Sequence, residues 1–179
     1  MIRFGQSSPR AEFEREVLPH LDAAFSLARF LLRNEQDAED AVQEAALRAF
    51  RFYDSFRGEN SRAWFLRIVR NTAFNILKRT HDHGAEVAFD EELHTPQLQS
   101  GEHIAAQSDF AHDREAVRAA IEQLPPEFRE VITLRELEDC SYKEIAEIAN
   151  VPVGTVMSRL ARARTQLGQI LSKIFKEGV

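Results

Sequence analysis

The strongest constraint on the fold is the stretch SYKEIAEIANVPVGTVMSRLARAR, residues 141–164. Ser141 followed three residues later by Glu144 forms a capping box, which predicts the start of a helix. Asn150 tolerates the left-handed conformation of a tight turn. Pro152 has no N–H to donate, which suits the first turn of a second helix. Two short helices joined by a tight turn are typical of a helix-turn-helix.

The second helix of this pair is predicted to have two different faces. Helical spacing places Val156, Leu160 and Ala163 on one buried stripe. Polar and basic residues lie outside that stripe, where they can contact the major groove of a duplex. The candidate set is Thr155, Ser158, Arg159, Arg162 and Arg164. The alternative is an ordinary helical hairpin with a solvated basic face.

Charge is unevenly distributed along the chain. The 179 residues carry a formal net charge of −6, yet residues 81–112 contain seven acidic residues and no lysine or arginine. This segment mixes Gly, Pro, Gln and Ser with scattered apolar residues, a composition typical of a largely unstructured linker. Residues 1–80 and 113–179 are therefore predicted to be two small domains joined by an acidic tether. The acidity of the whole chain does not argue against nucleic-acid binding by these domains.

Helical periodicity recurs in both flanking segments and strand patterns are weak, so we expect an all-α fold. The longest apolar runs are too short to span a membrane and no charged-then-apolar leader opens the chain, so we expect a cytoplasmic protein without membrane insertion. Cys140 is the only cysteine, which excludes an internal disulfide. Five histidines lie in or beside the acidic segment with irregular spacing, so we expect no metal, no cofactor and no enzyme; a metal hydrolase is the alternative.

The stretch NEQDAEDAVQEAALRAFRFYDSF, residues 34–56, carries a cluster of acidic side chains near its predicted helix start. Acidic groups are favourable there because of the helix dipole. A solvated face and a docking face for a basic partner explain the cluster equally well. The core stripe of this helix is predicted at Ala38, Val42, Ala45 or Ala46, Ala49, Phe50 and Tyr53.

The next stretch, RGENSRAWFLRIVRNTAFNILKRT, covers residues 57–80 and interleaves bases, aromatic rings and asparagines. Gly58 is expected to end the preceding helix and Ser61 to cap the next one. Basic groups neutralise phosphates, aromatic rings stack on unpaired bases and asparagine bonds a base edge. The combination favours binding of a separated strand. The alternative, which we favour for Phe65 and Phe74, is that the aromatic rings are core residues.

Three motifs, in this order, resemble those of the extracytoplasmic-function (ECF, group 4) sigma factors of bacterial RNA polymerase: DAEDAVQEAALRAFRFYDSFRG, RAWFLRIVRNTAFN and LPPEFREVITLRELEDCSYKEIAEIANVPVGTVMSRLARAR. The resemblance extends from about residue 12 to residue 172. It implies a sigma-2-like domain in residues 1–80 and a sigma-4-like domain in residues 113–179. It also implies three partners, namely core RNA polymerase, promoter DNA and a cognate anti-sigma factor, and a monomer outside these complexes.

The resemblance assigns roles to three sets of residues. Docking on the clamp helices of the largest polymerase subunit is implied for Asp37, Asp40, Val42, Gln43 and Glu44. Opening of the −10 element and capture of a flipped non-template base are implied for Arg57, Asn60, Ser61, Trp64, Arg67, Asn71, Asn75, Lys78 and Arg79. Recognition of the −35 element is implied for the helix-turn-helix set above, in which Met157 stands where several relatives carry arginine.

Two other functions stay open at this point. A stand-alone transcription regulator would use the helix-turn-helix to bind duplex DNA without polymerase, and it leaves the aromatic and basic stretch unexplained. A sigma-like decoy would bind an anti-sigma factor and regulate by mimicry. Such decoys usually carry a fused receiver domain, for which this chain has no room.

Overall fold

The computed structural model describes residues 8–87 and 109–177 of the chain. Every regular element in these two ranges is helical, which confirms the all-α prediction. The α-helices are α1 (Pro9–Glu16), α2 (Leu21–Leu32), α3 (Glu35–Phe52), α4 (Ser61–Val87), α5 (Asp109–Glu122), α6 (Pro126–Ile132), α7 (Tyr142–Ala149) and α8 (Val153–Glu177). Short 3₁₀ turns at Leu18–His20 and Tyr53–Ser55 and a π-helical turn at Thr133–Leu137 lie between them.

Both ends of the predicted linker, residues 81–112, are helical. α4 continues to Val87 and α5 begins at Asp109. A helix that is already nucleated gains one hydrogen bond for each residue added, and no proline stops α4 in this stretch. The middle of the predicted linker, residues 88–108, lies outside the described residues. So do the side chains of the five histidines considered for metal binding: His81, His83, His94, His103 and His112.

The first half of the molecule is built on α2, α3 and α4, which contact one another. The stripe that α3 buries consists of alanines, namely Ala38, Ala41, Ala45 and Ala49. These small side chains let the helix backbones approach closely, while Phe65 of α4 fills the core as predicted. The predicted stripe was wrong at Phe50, which is 50% exposed at the rim. Val42 and Tyr53 are half-buried and pack against the core.

The chain enters α4 through an asparagine cap. The side-chain oxygen of Asn60 accepts a hydrogen bond from the N–H of Ala63 at 2.9 Å. Ser61, predicted to be the cap, instead donates to the carbonyl of Glu16 at 3.0 Å. The two residue types cap helices about equally well, so the local pattern does not choose between them. The prediction that Gly58 ends the preceding helix was also wrong, because the helical turns end at Ser55.

The helix-turn-helix has the predicted geometry. The capping box of Ser141 and Glu144 is present at the start of α7, and Asn150 ends this helix with a φ of 55°. Pro152 comes directly before α8, and its carbonyl accepts from the N–H of Val156 at 3.2 Å. The predicted apolar stripe of α8 is buried.

The two halves of the chain pack against each other. α2 contacts α6, and α4 contacts α7. One apolar cluster contains Leu27 and Leu31 of α2 together with Ile132 and Leu134 of the second half. The charge and composition of the tether gave no indication of this contact, which places the helix-turn-helix beside the N-terminal end of α4.

Candidate nucleic-acid interface

A cleft of about 550 Å³ opens where the start of α4 meets α7. One wall comes from the loop before α4 and from the first turns of that helix. The other wall comes from the exposed side of α7. The lining residues are Phe56, Gly58, Glu59, Asn60, Ala63, Trp64 and Arg67 on the first wall and Lys143, Glu144 and Glu147 on the second. Four of the residues predicted to bind the −10 element therefore border this cleft or lie next to it: Asn60, Ser61, Trp64 and Arg67.

The first wall of the cleft is aromatic. The rings of Phe56 and Trp64 lie 4.8 Å apart between centroids at an interplanar angle of 33°, and Tyr53 meets Trp64 edge-on at 6.3 Å. Gly58 makes room for this pair, since a Cβ there would lie 2.8 Å from the Phe56 ring. Sequence reasoning missed Phe56; its spacing of eight residues from Trp64 across a loop carries no periodic signal. A half-buried aromatic pair beside an amide can both stack on a base and bond its edge.

A polar row continues from the cleft along α4. Arg67, Asn71, Asn75 and Lys78 are exposed, and their spacing puts them on the same side of the helix as Trp64. At about 1.5 Å of rise per residue, the row from Trp64 to Lys78 is about 21 Å long. Arg79 is exposed beside it, and Arg57 is exposed in the loop, where its guanidinium donates to two nearby carbonyls. This row is long enough to follow several nucleotides of a single strand.

Several of these polar groups already have partners in the second half of the chain. The Asn60 amide donates to a carboxylate oxygen of Glu144 at 2.9 Å. Arg67 donates to the side-chain oxygen of Asn150 at 3.2 Å. The N–H of Ser141 and, to a smaller extent, the Asn60 amide lower the pKa of Glu144 because both donate to its carboxylate. The start of α4 is thus bonded to the helix-turn-helix.

Two further arginines of α4, which sequence reasoning did not select, make the same kind of contact. Arg62 donates to the carbonyl of Glu138 at 2.6 Å. Arg70 donates to the buried carboxylate of Glu130 at 2.7 Å and lies 4.2 Å from the Phe74 ring centroid. Burial raises the pKa of Glu130, and the hydrogen bond and charge of Arg70 act in the opposite direction.

The outward face of α8 is more open. Ser158 and Arg162 are exposed and Thr155 is half-buried. Arg159 is 26% exposed, and its Nη1 lies 3.8 Å from Glu130. Arg164 lies about half a turn around the helix from Thr155, and it donates twice to Glu136, at 2.7 and 3.1 Å. The structure therefore groups Thr155, Ser158, Arg159 and Arg162 and places Arg164 apart from them.

The acidic face of α3 forms a third surface. Asp37, Asp40, Gln43 and Glu44 are exposed, whereas Val42 is half-buried. Two apolar side chains continue this face toward the end of the helix: Leu47 is 62% exposed and Phe50 is 50% exposed. Sequence reasoning missed Leu47, although the buried alanine stripe places it on the outer side. Exposed apolar residues bordered by acidic ones are typical of a protein-binding surface.

Metal sites, membrane-spanning helices and a reactive cysteine are other features that the described residues could carry. The residues that the structure describes contain no group of three or more His, Cys, Asp or Glu that could hold a metal ion, and no helix long and apolar enough to cross a membrane. Cys140 is buried, which raises the pKa of its thiol to about 11. At neutral pH this thiol is therefore protonated.

Comparison with known proteins identifies the family. Residues 17–82 match Sigma-70 region 2, and residues 114–167 match Sigma-70 region 4. The chain is 33% identical over 181 residues to the RNA polymerase sigma-H factor of Pseudomonas aeruginosa, covering 96% of this chain and 92% of that protein. It is 39% identical over 137 residues to the ECF RNA polymerase sigma-E factor of Escherichia coli K12, covering 72% of this chain and 70% of that protein. The chain belongs to the ECF sigma factors.

Two further comparisons agree with this assignment, and a third shows a shared fold. The ECF sigma factor is 32% identical to the ECF RNA polymerase sigma factor SigE of Mycolicibacterium smegmatis, over 94% of this chain and 65% of that longer protein. Its fold resembles that of the sigma factor RpoE in a co-crystal structure with the anti-sigma factor NepR from Bartonella quintana. The TM-score is 0.69 at 28% identity, over 90% of this chain and 97% of that one. A structure of CnrH with the cytosolic domain of CnrY shares the fold, with a TM-score of 0.64 at 24% identity, over 92% of this chain and 90% of that one.

Proposed function

We propose that this ECF sigma factor binds core RNA polymerase, directs it to specific promoters and helps to open their −10 region. We assign these tasks to two domains, a sigma-2-like domain in residues 1–80 and a sigma-4-like domain in residues 113–179. The acidic residues 81–112 connect the two. The observation that carries the proposal is the aromatic cleft at the start of α4, which continues into the polar row along that helix.

The cleft suits capture of an unpaired base. Extruding a base from the stack costs a few kcal/mol, and stacking on an aromatic side chain returns about 1–3 kcal/mol per base. Trp64 and Phe56 supply the aromatic surface, and Asn60 supplies an amide for the base edge. Arg67, Asn71 and the rest of the row then hold the following strand. A site that binds separated strands selectively traps the open promoter without an energy source such as ATP.

The exposed face of α8 is suited to read the −35 element as a duplex. Ser158 and Arg162 project from this helix without a partner in the other half of the described structure. A good bidentate contact between an arginine and a guanine discriminates against a wrong base by about 1–3 kcal/mol. Met157, which is exposed on the same helix, is proposed to modify the −35 preference relative to sigma factors with arginine at this position.

The outer face of α3 is proposed to dock on core polymerase. Asp40, Gln43 and Glu44 supply the polar part of this surface, and Leu47 and Phe50 add an apolar part. Truncation of a buried apolar anchor costs an interface more than truncation of a rim charge. We therefore assign more of the docking free energy to Leu47 and Phe50 than to the acids.

A cognate anti-sigma factor is proposed as a further partner, because a similar solved structure is a complex of this kind. In it the sigma factor RpoE is bound to the anti-sigma factor NepR. Outside these complexes the chain is proposed to be a monomer in the cytoplasm, where polymerase and promoters are found.

The test is run-off transcription with purified bacterial core polymerase, on the promoter of the gene for this protein and on a genomic library. We expect specific starts that depend on the added chain and that fall at least tenfold with Asn71→Ala. Lys173→Ala, which changes an exposed residue far along α8, is the matched control and should retain full activity. Binding to core without transcription would favour the decoy, and duplex binding without core would favour the stand-alone regulator.

A further inference from the structure

One residue of α1, Glu16, contacts both ends of the loop that carries the aromatic cleft. Its carboxylate accepts a hydrogen bond from the hydroxyl of Tyr53 at 2.8 Å, where the loop begins. Its main-chain carbonyl accepts from the hydroxyl of Ser61 at 3.0 Å, where α4 begins. The loop between these two points, residues 54–60, supplies four of the residues that line the cleft. Glu16 therefore fixes the position of one loop end relative to the other.

Tyr53 connects Glu16 to the aromatic wall of the cleft. Its ring centroid lies 6.3 Å from that of Phe56, at an interplanar angle of 27°, and 6.3 Å from that of Trp64. A third ring, the buried Phe13 of α1, meets Tyr53 edge-on at 5.5 Å. Aromatic contacts of these kinds favour defined orientations of the rings. A shift of Tyr53 would therefore move the surface on which a base is proposed to stack.

The hydrogen bond between Tyr53 and Glu16 joins a neutral hydroxyl to a carboxylate. Burial and, after it, the bond to Glu16 raise the pKa of Tyr53 to about 12, so the hydroxyl stays protonated and can donate at neutral pH. Arg15 contacts the other oxygen of the Glu16 carboxylate, at 3.4 Å, and leaves the first oxygen to Tyr53. Hydrogen bonds with an ionised acceptor are stronger than those between neutral groups. This bond is therefore well suited to hold the ring in place.

The other hydrogen bonds at the start of the loop are local. Arg57 donates to the carbonyls of Asp54 and Phe56, and Ser55 donates to the carbonyl of Phe52. Such bonds shape the loop but do not attach it to α1. Ordering a loop costs conformational entropy, and a site that is ordered beforehand binds its ligand without that cost. The two bonds to Glu16 supply this order before a strand arrives.

We propose that Glu16 is a positioning residue for the −10 site, which holds the loop and the aromatic pair in the arrangement that receives an unpaired base. The inference rests on the proposed function of the cleft. Glu16 acts through Tyr53 and Ser61 and does not contact the strand itself. Ser61, which the resemblance places in the −10 set, then acts through its bond to α1. The match to Sigma-70 region 2 begins at residue 17 and does not include α1.

The first experiment uses the fluorescence of Trp64, the only tryptophan of the chain. Acrylamide quenching of the full-length free chain measures how accessible this ring is, while circular dichroism checks folding. Because loss of a contact promotes local opening, we expect Glu16→Ala to raise the quenching constant by about twofold. Glu16→Gln keeps an oxygen that can accept from Tyr53 and should stay close to the unmodified chain. Glu14→Ala is the matched control, since this exposed carboxylate of α1 bonds only to Arg10 among the described residues.

The second experiment measures strand binding by polymerase holoenzyme reconstituted with each variant. The probe is a fluorescein-labelled non-template strand that covers the −10 element of a promoter identified by run-off transcription. We expect Glu16→Ala to weaken binding of this strand by about 3- to 10-fold, the loss that corresponds to one hydrogen bond, and to leave affinity for core unchanged. Tyr53→Phe keeps the ring, removes the same bond and should have a similar effect. The two changes combined should be no worse than the more affected single variant.

Equal quenching of Trp64 in the Glu16→Ala and Glu14→Ala variants would overturn the proposal. Unchanged strand binding by Glu16→Ala would also overturn it, provided that Trp64→Ala weakens binding in the same assay. The same assays separate this inference from the function it rests on. If Glu16→Ala raises quenching but neither variant weakens strand binding, the ordering of the loop is supported and the assigned strand site is wrong.

Discussion

The two helices proposed to bind DNA, α4 and α8, differ in how their polar side chains are engaged in the free chain. Asn60, which caps α4, and Arg62 and Arg70 of α4 bond to acidic residues of the other half. On α8, Ser158 and Arg162 point to solvent. A strand must exchange partners with α4, whereas a duplex can approach α8 directly.

This difference corresponds to what each helix is proposed to recognise, namely unpaired bases for α4 and the base edges of a duplex for α8. Stacking on unpaired bases tolerates almost any sequence, since every base has a π-face. Reading of base edges in the major groove is selective. The two helices therefore suit different forms of DNA: α4 suits a separated strand and α8 suits a duplex.

The largest effect is expected from Arg129→Met, which removes the buried guanidinium that joins the halves. Its loss removes the charged donor from the carbonyls of Leu31 and Glu122, and only the second keeps another donor, Arg33 at 3.4 Å. Hydrogen bonds from a charged donor contribute about 1.5–3 kcal/mol each. We expect the free energy of unfolding in urea to fall by about 2–4 kcal/mol. Arg118→Met, at an exposed arginine of α5, is the control and should change it by less than about 0.5 kcal/mol. Similar losses for both variants would show that Arg129 is not the main link.

Trp64→Ala should have the next largest effect, because it removes the stacking surface of the cleft. A loss of about 1–3 kcal/mol of stacking corresponds to a 5- to 150-fold loss of open complex. Run-off transcription on a linear template measures this loss. Phe52→Ala is the control, since Phe52 is 58% exposed and does not line the cleft. Full activity of Trp64→Ala would show that the cleft takes no part in promoter opening.

Arg162→Ala tests the proposal that the exposed face of α8 reads the −35 element. It should weaken binding of the polymerase holoenzyme to the −35 element by about 1–3 kcal/mol, since one arginine contact is lost. Arg164→Ala should leave this binding nearly unchanged, because Arg164 is engaged by Glu136 on the other side of the helix. Footprinting with the −35 element intact and scrambled separates the two variants. A larger loss with Arg164→Ala would reverse our assignment.

The smallest effect concerns pH. The pKa of Glu144 is lowered below its ordinary value of 4.5, mainly by the N–H of Ser141. The stability that this carboxylate contributes is therefore fully present above pH 4.5 and is lost as the pH falls below that value. A cap of this kind contributes about 1 kcal/mol. Glu144→Gln keeps the cap but cannot titrate, so thermal unfolding between pH 6 and pH 3 should show a shallower decline for this variant.

Local patterns were sufficient for the elements whose interactions are close in sequence. The capping box at Ser141, the left-handed Asn150 and the apolar stripe of α8 were all predicted correctly, because each depends on neighbours within one or two turns. The choice between Asn60 and Ser61 as the cap of α4 was not local. It depends on Glu16, which accepts a hydrogen bond from Ser61 and thereby draws this side chain away from the helix end.

Residues that face a distant part of the chain could not be placed in this way. The periodicity of α3 did not reveal that alanines would form its core and that Phe50 would lie at the rim, since the spacing between helices is a property of their packing. The sequence of α4 shows that its arginines are positively charged, but it does not indicate that they contact Glu130 and Glu138.

Short stretches of the sequence therefore determine the helix positions, the helix-turn-helix and the chemical character of each proposed DNA-binding surface. Their energies come from contacts between residues a few positions apart. Whether the cleft beside Trp64 is open or filled depends on residues such as Glu144, 84 positions from its partner Asn60. Such a contact forms only after the loop between its partners has closed, and the entropy of that closure is recovered from packing of both halves together.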